Sequence, residues 1–358
     1  MIEAANQHVI NGLANAIMAR IPEWYGAGAT LNSESAALHT FPYSFFVSFP
    51  VQTRNGEQTL FAKIHRKPHM ATLNEALDAE WLRPIARDEY EITKVIWRTF
   101  DEKNSPVCTA VQPLGLVTEW NAILMRKVDG KELKKYLVHP SVLFRSRKAL
   151  MQLQGYLKAS VIWLRIFHDQ VAKPHVAAFP VEDAMQSMNE ILTKLSERSQ
   201  GEVDVEFYRS KLLKRLESIQ VLHISVALLH DDFQYSNILI QSDGRACVLD
   251  YVFNHRGCVY SDLATFLIDP QTRGVQILTD GRFIAPGFIR VFKQTVLNAY
   301  FNGKPHHTDV LDFYCALAVL NKWSADEGGN YKGWKKQVFS VLRGAMRRYY
   351  TKLLTEYL

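Results

Sequence analysis

A histidine, two adjacent carboxylates and a carboxamide lie close together in the stretch LLHDDFQYSNILI, residues 228–240. His230, Asp231, Asp232 and Asn237 form a polar island between apolar runs. Carboxylate and amide oxygens are hard ligands that suit Mg²⁺, and a carboxylate accepts a proton from a hydroxyl group. These residue types therefore indicate metal-assisted chemistry on a hydroxyl nucleophile.

The residues after the island predict a β-hairpin that brings in a further carboxylate. Two apolar runs flank the turn-forming SDGR, and the second run ends in Asp250. If SDGR closes the hairpin so that Gln241 faces Ala246, Asn237 faces Asp250, with side-chain bases about 4.5–5.5 Å apart on one face. Such a pair would bind Mg²⁺ jointly with substrate phosphates, and Asp232 would stand beside it as a base. Phosphoryl transfer needs these parts together.

The first part of the chain predicts a small sheet with a helix against it. Residues 43–52 and 58–66 are rich in aromatic and β-branched residues on either side of Asn55-Gly56, which indicates an antiparallel hairpin. The apolar stretches AVQPLGLV and AILMRKV, separated by the turn-like TEWN, indicate another hairpin. Residues 86–100 carry apolar residues at helical spacing.

Beyond Gly130 the pattern is mainly helical. A chain of 358 residues is about the size at which a single core divides. We therefore predict two lobes, residues 1–128 and residues 129–358, and a composition with 47% hydrophobic residues supports sizeable cores in both.

The order of the polar residues resembles a known family. The pattern H-x-D-x-x-x-x-N, read at His230, Asp232 and Asn237, is followed by an aspartate at the end of the next strand. It is similar to the catalytic and metal-binding loops of the protein-kinase-like superfamily, in its aminoglycoside phosphotransferase and choline kinase branch. Downstream, GCVYSDLATFL resembles the glycine-to-D-L-A segment of that branch. The resemblance implies an α+β, bilobal fold with a small antiparallel-sheet N-lobe and a larger, mainly helical C-lobe.

For the C-lobe, the resemblance implies roles at matching positions. Asp232 corresponds to the catalytic base. Asn237 and Asp250 correspond to the magnesium ligands. His230 and Asp262 correspond to structural supports of the site. In the family, the aspartate that Asp262 matches braces the catalytic loop through backbone hydrogen bonds.

For the N-lobe, the resemblance implies a nucleotide site. Lys63, in LFAKIH, matches the strand lysine that holds the nucleotide phosphates. Glu89 fits the helix glutamate that pairs with this lysine, and Glu91 is a close rival. The segment ILMRKVDGKEL resembles the strand and hinge that pass the adenine ring, with the cofactor-binding residues Met125, Lys127 and Val128.

Two features depart from the pattern of the branch. The usual H-G-D has Asp231 in place of its glycine, and an extra carboxylate near the metal raises the pKa of its neighbour. No G-x-G-x-x-G occurs between residues 25 and 50, and no G-x-x-x-x-G-K-[ST] occurs anywhere, which excludes a P-loop mechanism.

The expected function is Mg²⁺-dependent transfer of the γ-phosphoryl group of ATP or GTP to a hydroxyl of a sugar or sugar-containing metabolite. An aminoglycoside or choline-type phosphotransferase is the alternative. A net charge of +6 makes polycationic aminoglycosides a less attractive acceptor, and choline would need an aromatic cage, for which the chain has numerous aromatic residues. A different class of protein is the other alternative: a nucleotide-binding protein with weak or no turnover. It is suggested by Asp231, which replaces the usual glycine of the H-G-D pattern. Nucleic acid is not an expected partner, because no recognised motif accompanies the pI near 9.0.

The expected location is the cytoplasm. Four cysteines occur without a C-x-x-C pair, and the N-terminal stretch has a glutamate where a signal peptide has lysine or arginine. Peripheral membrane contact is a less favoured alternative, based on a C-terminal helical pattern with apolar and basic faces. Its two faces carry Trp334, Val338, Leu342, Ala345 and Tyr349 on one side, and Lys336, Arg343 and Arg347 on the other.

Overall fold

The computed structural model divides the chain into two compact units, an N-terminal unit, Met1–Asp129, and a C-terminal unit, Gly130–Leu358. The first is built on an antiparallel sheet, and the second is mainly helical. The residues that the structure describes are 2–139, 146–251, 255–329 and 334–358.

The N-terminal unit has an antiparallel sheet at its centre. The strands of this unit are β1 Thr30–Leu31, β2 Ala37–Thr40, β3 Ser44–Thr53, β4 Gly56–His65, β5 Cys108–Thr109, β6 Pro113–Val117 and β7 Ala122–Arg126. The order in the sheet is β1-β3-β4-β7-β6, and β2 also pairs with β3. The two predicted hairpins, β3–β4 and β6–β7, are confirmed as antiparallel pairs.

Alternation of side chains explains why β3 and β4 form the middle of this sheet. One face of β3 is fully buried, because every second residue is apolar: Phe45, Val47, Phe49 and Val51. The hairpin closes through Arg54 and Asn55, with Thr53 facing Gly56. Gly56 has a φ of 109°, a conformation that glycine adopts without a steric cost.

Four helices cover the sheet of the N-terminal unit: α1 Ile2–Met18, α2 Ile21–Tyr25, α3 Leu73–Asp78 and α4 Leu82–Lys103. Helix α1 contributes Val9, Leu13 and Ile17 to the same core as β3 and β4. Helix α4 has a buried stripe with the three- and four-residue spacing of an amphipathic helix. Its members are Leu82, Ala86, Glu89, Thr93, Ile96 and Phe100.

Helices make up most of the C-terminal unit. They are α5 Leu133–Leu137, α6 Arg147–Ile166, α7 Val181–Ser199, α8 Val205–Ile219, α9 Tyr260–Ile268, α10 Gly274–Leu278, α11 Pro286–Phe301, α12 Thr308–Glu327 and α13 Trp334–Leu354. A π-helical turn, Phe167–Val171, continues α6. Helix α12 is central, since it packs against α7, α8, α9 and α13.

Short strands of the C-terminal unit position its polar residues. They are β8 Lys131–Glu132, β9 His175–Ala178, β10 His223–Leu228, β11 Ile238–Ile240, β12 Ala246–Val248 and β13 Arg256–Cys258. Strand β10 lies between β9 and β13, and β11 lies between β8 and β12. The polar island follows β10 and leads into β11.

The hairpin β11–β12 differs by one residue from the predicted register. Gln241 faces Arg245 instead of Ala246, and Asn237 faces Leu249 instead of Asp250. The cause is the turn, which has three residues, because Gly244 takes a φ of 87° and closes the hairpin one residue early. The prediction that Asn237 and Asp250 are directly paired across the hairpin was therefore wrong.

Candidate active site

A buried carboxylate holds the start of the loop between β10 and β11. Asp262, on α9, accepts hydrogen bonds from the backbone N–H groups of His230, at 2.7 Å, and Asp231, at 2.9 Å. Burial would raise the pKa of the Asp262 carboxyl, but His168 and His230 outweigh burial and lower it. The carboxylate is therefore ionised near neutral pH and fixes the backbone of the loop.

The backbone at Asp231 explains how the chain tolerates a side chain where the family has glycine. Its φ is 61°, in the left-handed region. Glycine adopts this conformation freely, and aspartate and asparagine adopt it more readily than most other residues. Asp231 therefore occupies a backbone conformation that a glycine at this position would also adopt.

Asp232 lies at the centre of a hydrogen-bond network. Its Oδ2 accepts from Nδ2 of Asn237 at 2.6 Å, and its Oδ1 accepts from Nε2 of Gln234 at 2.8 Å. Burial raises the pKa of the Asp232 carboxyl, and these two hydrogen bonds oppose the increase. The result is a fixed carboxylate that is more basic than an ordinary aspartate, which suits a proton acceptor.

Two further residues of this network were not found by sequence reasoning. Nζ of Lys322, on α12, lies 3.4 Å from Oε1 of Gln234, and its charge favours the ionised form of Asp232. Gln234 is inside the island and could have been found as a polar residue two positions after the predicted base. Lys322 is 88 residues further along the chain, and no local signal indicates it.

Asn237 and Asp250, the predicted magnesium ligands, are not cross-strand partners, but both belong to the region around the loop. Because Nδ2 of Asn237 donates to Asp232, its Oδ1 is the atom left for a cation. The φ of Asp250 is 55°, and its charge acts on both Asp232 and His230, so it lies near the same loop.

These two side chains fit the donor set for Mg²⁺. This ion prefers oxygen ligands and is usually bound by one or two protein side chains together with phosphates and water. Among the described residues, no group of three or more His, Cys, Asp or Glu side chains is placed to hold a metal by itself. Asn237 and Asp250 therefore suit an ion that is shared with substrate phosphates.

His230 is part of an aromatic cluster beneath the loop. Its ring lies 6.1 Å from that of Trp163, 5.7 Å from that of Phe233 and 5.5 Å from that of Tyr251. Burial lowers the pKa of His230 to about 4, against the opposing charges of Asp262 and Asp250. The ring is therefore neutral near pH 7, which agrees with a supporting role.

A second histidine, missed by sequence reasoning, supports the same carboxylate. His168 lies in the π-helical turn after α6 and is 1% exposed. Its Nε2 is 3.0 Å from Oδ2 of Asp262, and its Nδ1 is 2.7 Å from the hydroxyl of Tyr300. The chain Tyr300–His168–Asp262 thus connects α11 to the backbone of the loop. The spacing of 94 residues between His168 and Asp262 gave no local signal.

A buried ion pair occurs in the N-terminal unit. Nζ of Lys63 donates to Oε1 of Glu89 at 2.8 Å, and Nε2 of His65 lies 2.8 Å from Oε2 of the same carboxylate. Burial would raise the pKa of Glu89, but Lys63 and His65 lower it to about 2. Glu91 instead pairs with Lys94 at the surface. Of the two glutamates proposed as the partner of Lys63, the structure therefore selects Glu89.

The face of the sheet that carries Lys63 also carries apolar groups. Phe61 faces Met125 across β4 and β7, so both side chains lie on the face of Lys63. The centroids of the Phe46 and Phe61 rings are 5.8 Å apart. Nζ of Lys63 lies 5.8 Å from the centroid of the Phe46 ring.

The segment after β7 contains the other predicted cofactor residues. Lys127 donates its backbone N–H to the carbonyl oxygen of Thr59 at 3.0 Å, and its Nζ pairs with Asp129 at 3.0 Å. Val128 lies between these two residues in an irregular segment. Roles for Met125, Lys127 and Val128 in binding a nucleotide stay predictions.

The C-terminal helix α13 packs on its own unit. Arg347 binds the buried carboxylate of Glu327, with Nε 2.7 Å from Oε1, and Tyr349 and Tyr350 are buried. The side chains of Trp334, Lys336 and Val338 lie outside the described residues. Within the described part of the chain, a search for helices with the length and hydropathy of a membrane span found none.

Comparison with solved structures gives similarities over almost the whole chain. A candidate aminoglycoside phosphotransferase from Ralstonia eutropha JMP134 is 13% identical, with 97% of this chain and 98% of that chain covered and a TM-score of 0.56. A glucosamine kinase is 11% identical, with 92% of each chain covered and a TM-score of 0.52. The APH(2″)-IIa protein in a complex with streptomycin and ATP is 14% identical, with 93% and 94% covered and a TM-score of 0.51.

These similarities show the fold of the chain. The chain has the α+β fold of these phosphotransferase and kinase structures, with an antiparallel sheet in the N-terminal unit and a mainly helical C-terminal unit, as the resemblance predicts. No protein-family model matches the chain, and no curated protein sequence matches it.

Proposed function

We propose that the protein is a phosphotransferase that moves the γ-phosphoryl group of ATP or GTP to a hydroxyl group of a small molecule. A sugar or sugar-containing metabolite is the expected acceptor. The observation that carries this proposal is the network at Asp232, where Asn237 and Gln234 hold a basic carboxylate on a loop anchored by Asp262.

In the proposed reaction, Asp232 accepts the proton of the acceptor hydroxyl. The acceptor oxygen forms a bond to the γ-phosphorus, the bond from that phosphorus to the β–γ bridging oxygen breaks, and the nucleoside diphosphate leaves with the electron pair. The raised pKa of Asp232 favours proton transfer, and the charge of Lys322 favours the ionised form of this carboxyl.

Asn237 and Asp250 would hold Mg²⁺ jointly with the nucleotide phosphates. The ion would supply neutralisation of phosphate charge. In the N-terminal unit, Lys63 would bind the phosphates, and Glu89 would hold the ammonium group of Lys63 in place. The apolar face with Phe46, Phe61 and Met125 would contact the nucleobase of the nucleotide. The solved ATP complex of the APH(2″)-IIa protein has the same fold, which supports nucleotide use here.

The placement of Asp231 supports an enzyme over a protein that binds nucleotide without turnover. Its left-handed backbone conformation keeps the loop in the form that the glycine of the family would give. Its Oδ1 faces Nδ1 of His255 at 3.5 Å, while Asp232 keeps its own partners Asn237 and Gln234. A cytoplasmic location stays a prediction.

A nucleotide-consumption screen over hydroxylated small molecules tests the proposal, with ATP and GTP compared. Asp232→Asn and Asp250→Asn are each expected to lower kcat at least about a hundredfold, as for loss of a positioned base or a metal ligand. Asp243→Asn is the matched control, because Asp243 lies in the turn of the same hairpin and its side chain is 50% exposed. Rates in the two site variants equal to that of the control would refute the proposed roles.

A further inference from the structure

A second buried carboxylate contacts the loop between β10 and β11. Asp269 directly follows α9 and is 4% exposed. Its Oδ2 accepts a hydrogen bond from the backbone N–H of Tyr235 at 3.0 Å, and the same oxygen binds the guanidinium group of Arg273. Burying a carboxylate is costly unless it is paired and hydrogen-bonded, and these two partners meet that need. The backbone at Tyr235 is therefore tied to a fixed point at the end of α9.

Two carboxylates at the ends of one helix hold the two halves of the loop. Asp262 accepts from the N–H groups of His230 and Asp231, which precede the proposed base. Asp269 accepts from the N–H of Tyr235, which follows it. The two aspartates are seven residues apart, nearly two helical turns, so they lie on one side of α9 and about 10.5 Å apart along its axis. Asp269 itself keeps a helical backbone, with φ −50° and ψ −47°.

The position of Tyr235 limits the position of Asn237. Tyr235–Asn237 is a single turn of 3₁₀-helix, in which the anchored residue is first and the proposed metal ligand is last. The N–H of Asn237 donates to the carbonyl oxygen of Gln234 at 3.0 Å, and its own carbonyl oxygen accepts from the N–H of Leu249 at 2.8 Å. Each residue has only two soft backbone torsions, so a turn this short transmits the orientation of its first peptide group to its last.

The ring of Tyr235 is also held by α9, but in a different way. The side chain is 1% exposed, and its centroid lies 4.5 Å from that of Phe266. Ring packing keeps the residue near the helix, whereas a hydrogen bond also requires a direction. The bond to Asp269 is therefore the contact that orients the peptide group of Tyr235.

We propose that Asp269 is a positioning residue for the proposed metal site. By holding the N–H of Tyr235, it keeps the amide of Asn237 where a cation can be shared with the nucleotide phosphates. Asp262 has the corresponding task for the residues beside Asp232. Arg273 supplies the counter-charge that a buried carboxylate needs. The inference rests on the proposed function, because that function assigns the metal ion to Asn237.

Side chains of similar shape separate the hydrogen-bond acceptor from the charge. Asp269→Asn keeps an oxygen that accepts from Tyr235 and removes the charge, and Asp269→Leu removes both. Arg273→Met breaks the same ion pair and keeps the acceptor, so it is the control for a general loss of stability. Asp269→Ala is the second variant without an acceptor, for use if leucine does not fit the site.

Hydrogen exchange of single amides, measured by mass spectrometry, tests the anchor without any need for turnover. The amide of Tyr235 should exchange at least about tenfold faster in Asp269→Leu than in Asp269→Asn, the effect of one lost hydrogen bond to a buried group. The amide of His230, held by Asp262, is the internal control and should exchange equally in both variants. Equal rates at Tyr235, or the same acceleration at both amides, would overturn the inference.

Binding of Mn²⁺ to the protein with ADP tests the link to the metal site. Mn²⁺ takes the same oxygen ligands as Mg²⁺, and the electron paramagnetic resonance signal of free Mn²⁺ reports its binding. The Kd of Mn²⁺ should rise about tenfold in Asp269→Leu, as for the loss of one hydrogen bond, and change little in Asp269→Asn and Arg273→Met. An unchanged Kd in Asp269→Leu, or no Mn²⁺ binding by the wild type, would refute the positioning role.

Kinetics separate this inference from the proposed function. Asp269→Leu should raise the Mg²⁺ concentration that gives half of the maximal rate about tenfold, and lower kcat at saturating Mg²⁺ by less than about threefold. A loss of kcat with an unchanged Mg²⁺ requirement would refute the assignment of Asp269 to the metal side and leave the phosphotransferase intact. The expected changes in exchange and Mn²⁺ binding, without phosphoryl transfer by the wild type to any acceptor, would refute the phosphotransferase and leave the positioning role intact.

Discussion

Nδ2 of Asn237 donates to Oδ2 of Asp232 at 2.6 Å, and also to the backbone carbonyl oxygen of Asp232 at 3.0 Å. The amide group is therefore oriented, because both of its hydrogens point towards one residue. Its oxygen faces elsewhere and is the atom that the proposed function assigns to the metal ion. One side chain thus connects the proposed base to the proposed metal site.

Changing this amide to a carboxylate should disable the base. Asn237→Asp replaces a hydrogen-bond donor with a second negative charge next to Asp232, which raises the pKa of that carboxyl further. Because the base acts in its ionised form, the acidic limb of the kcat profile should move to higher pH, and kcat at pH 7 should fall about a hundredfold. Asn302→Asp, at an exposed helix end with a φ of 51°, is the control. An unshifted profile would contradict the role of the amide.

Removing the partner of the buried lysine should destabilise the N-terminal unit. Glu89→Gln removes the carboxylate that binds Lys63, and breaking a buried ion pair costs about 3–5 kcal/mol in the free energy of unfolding. Glu91→Gln should change stability by less than about 0.5 kcal/mol, because Glu91 pairs with Lys94 at the surface. Chemical denaturation of the two variants measures the difference.

The same pair predicts a pH dependence. The pKa of Glu89 is about 2 in the folded protein and 4.5 ordinarily, so its stabilising effect is complete above pH 4.5 and is lost as the pH falls towards 2. The stability difference between the wild type and Glu89→Gln should therefore decrease as the pH falls below 4.5. A difference that grows as the pH falls from 4.5 to 2 would contradict this assignment.

The histidine behind the loop should affect both stability and turnover. His168→Phe removes the hydrogen bond to Asp262 and leaves a buried carboxylate with one partner fewer, at a cost of about 1–3 kcal/mol. Because this carboxylate holds the loop, kcat should fall more than the nucleotide KM changes. Tyr300→Phe removes the bond on the other side of the ring and should have a smaller effect on kcat. Equal loss of kcat in the two variants would indicate a general packing defect.

Asp231 should oppose folding when it is ionised. Its pKa rises from an ordinary value of 3.8 to about 6, so the folded state prefers the protonated form. Asp231→Asn should therefore be more stable than the wild type above pH 6, by on the order of 1 kcal/mol given partial exposure, and this advantage should disappear as the pH falls towards 3.8. Thermal unfolding between pH 4 and 8 measures it.

Asp243, in the same unit, is a control because its pKa is lowered, whereas that of Asp231 is raised. Hydrogen bonding to the backbone and side chain of Arg245 lowers the pKa of Asp243, so Asp243→Asn should give no stabilisation at any pH. If both variants gained stability above pH 6, a general effect of net charge would explain the result, and the assignment to Asp231 would be wrong.

Local patterns were sufficient to predict the elements near the site. The hairpin β3–β4, the helix with Glu89 and the polar island between two strands all follow from alternation, helical spacing and turn residues. The predicted register of β11–β12 was wrong by one residue. Whether the turn has three or four residues depends on which residue takes the left-handed conformation, and here that residue is Gly244. Such a choice differs little in local free energy, so the flanking sequence does not decide it.

The sequence by itself determined which residue types are present, in which order, and hence the class of chemistry. The tertiary structure alone decided which of two glutamates meets Lys63, since this depends on which side of α4 packs against the sheet. It also decided that His168 and Lys322 support the loop, and that Asp269 holds the backbone of Tyr235. These contacts join residues far apart in the chain. They arise from the packing of whole helices, which no local periodicity encodes.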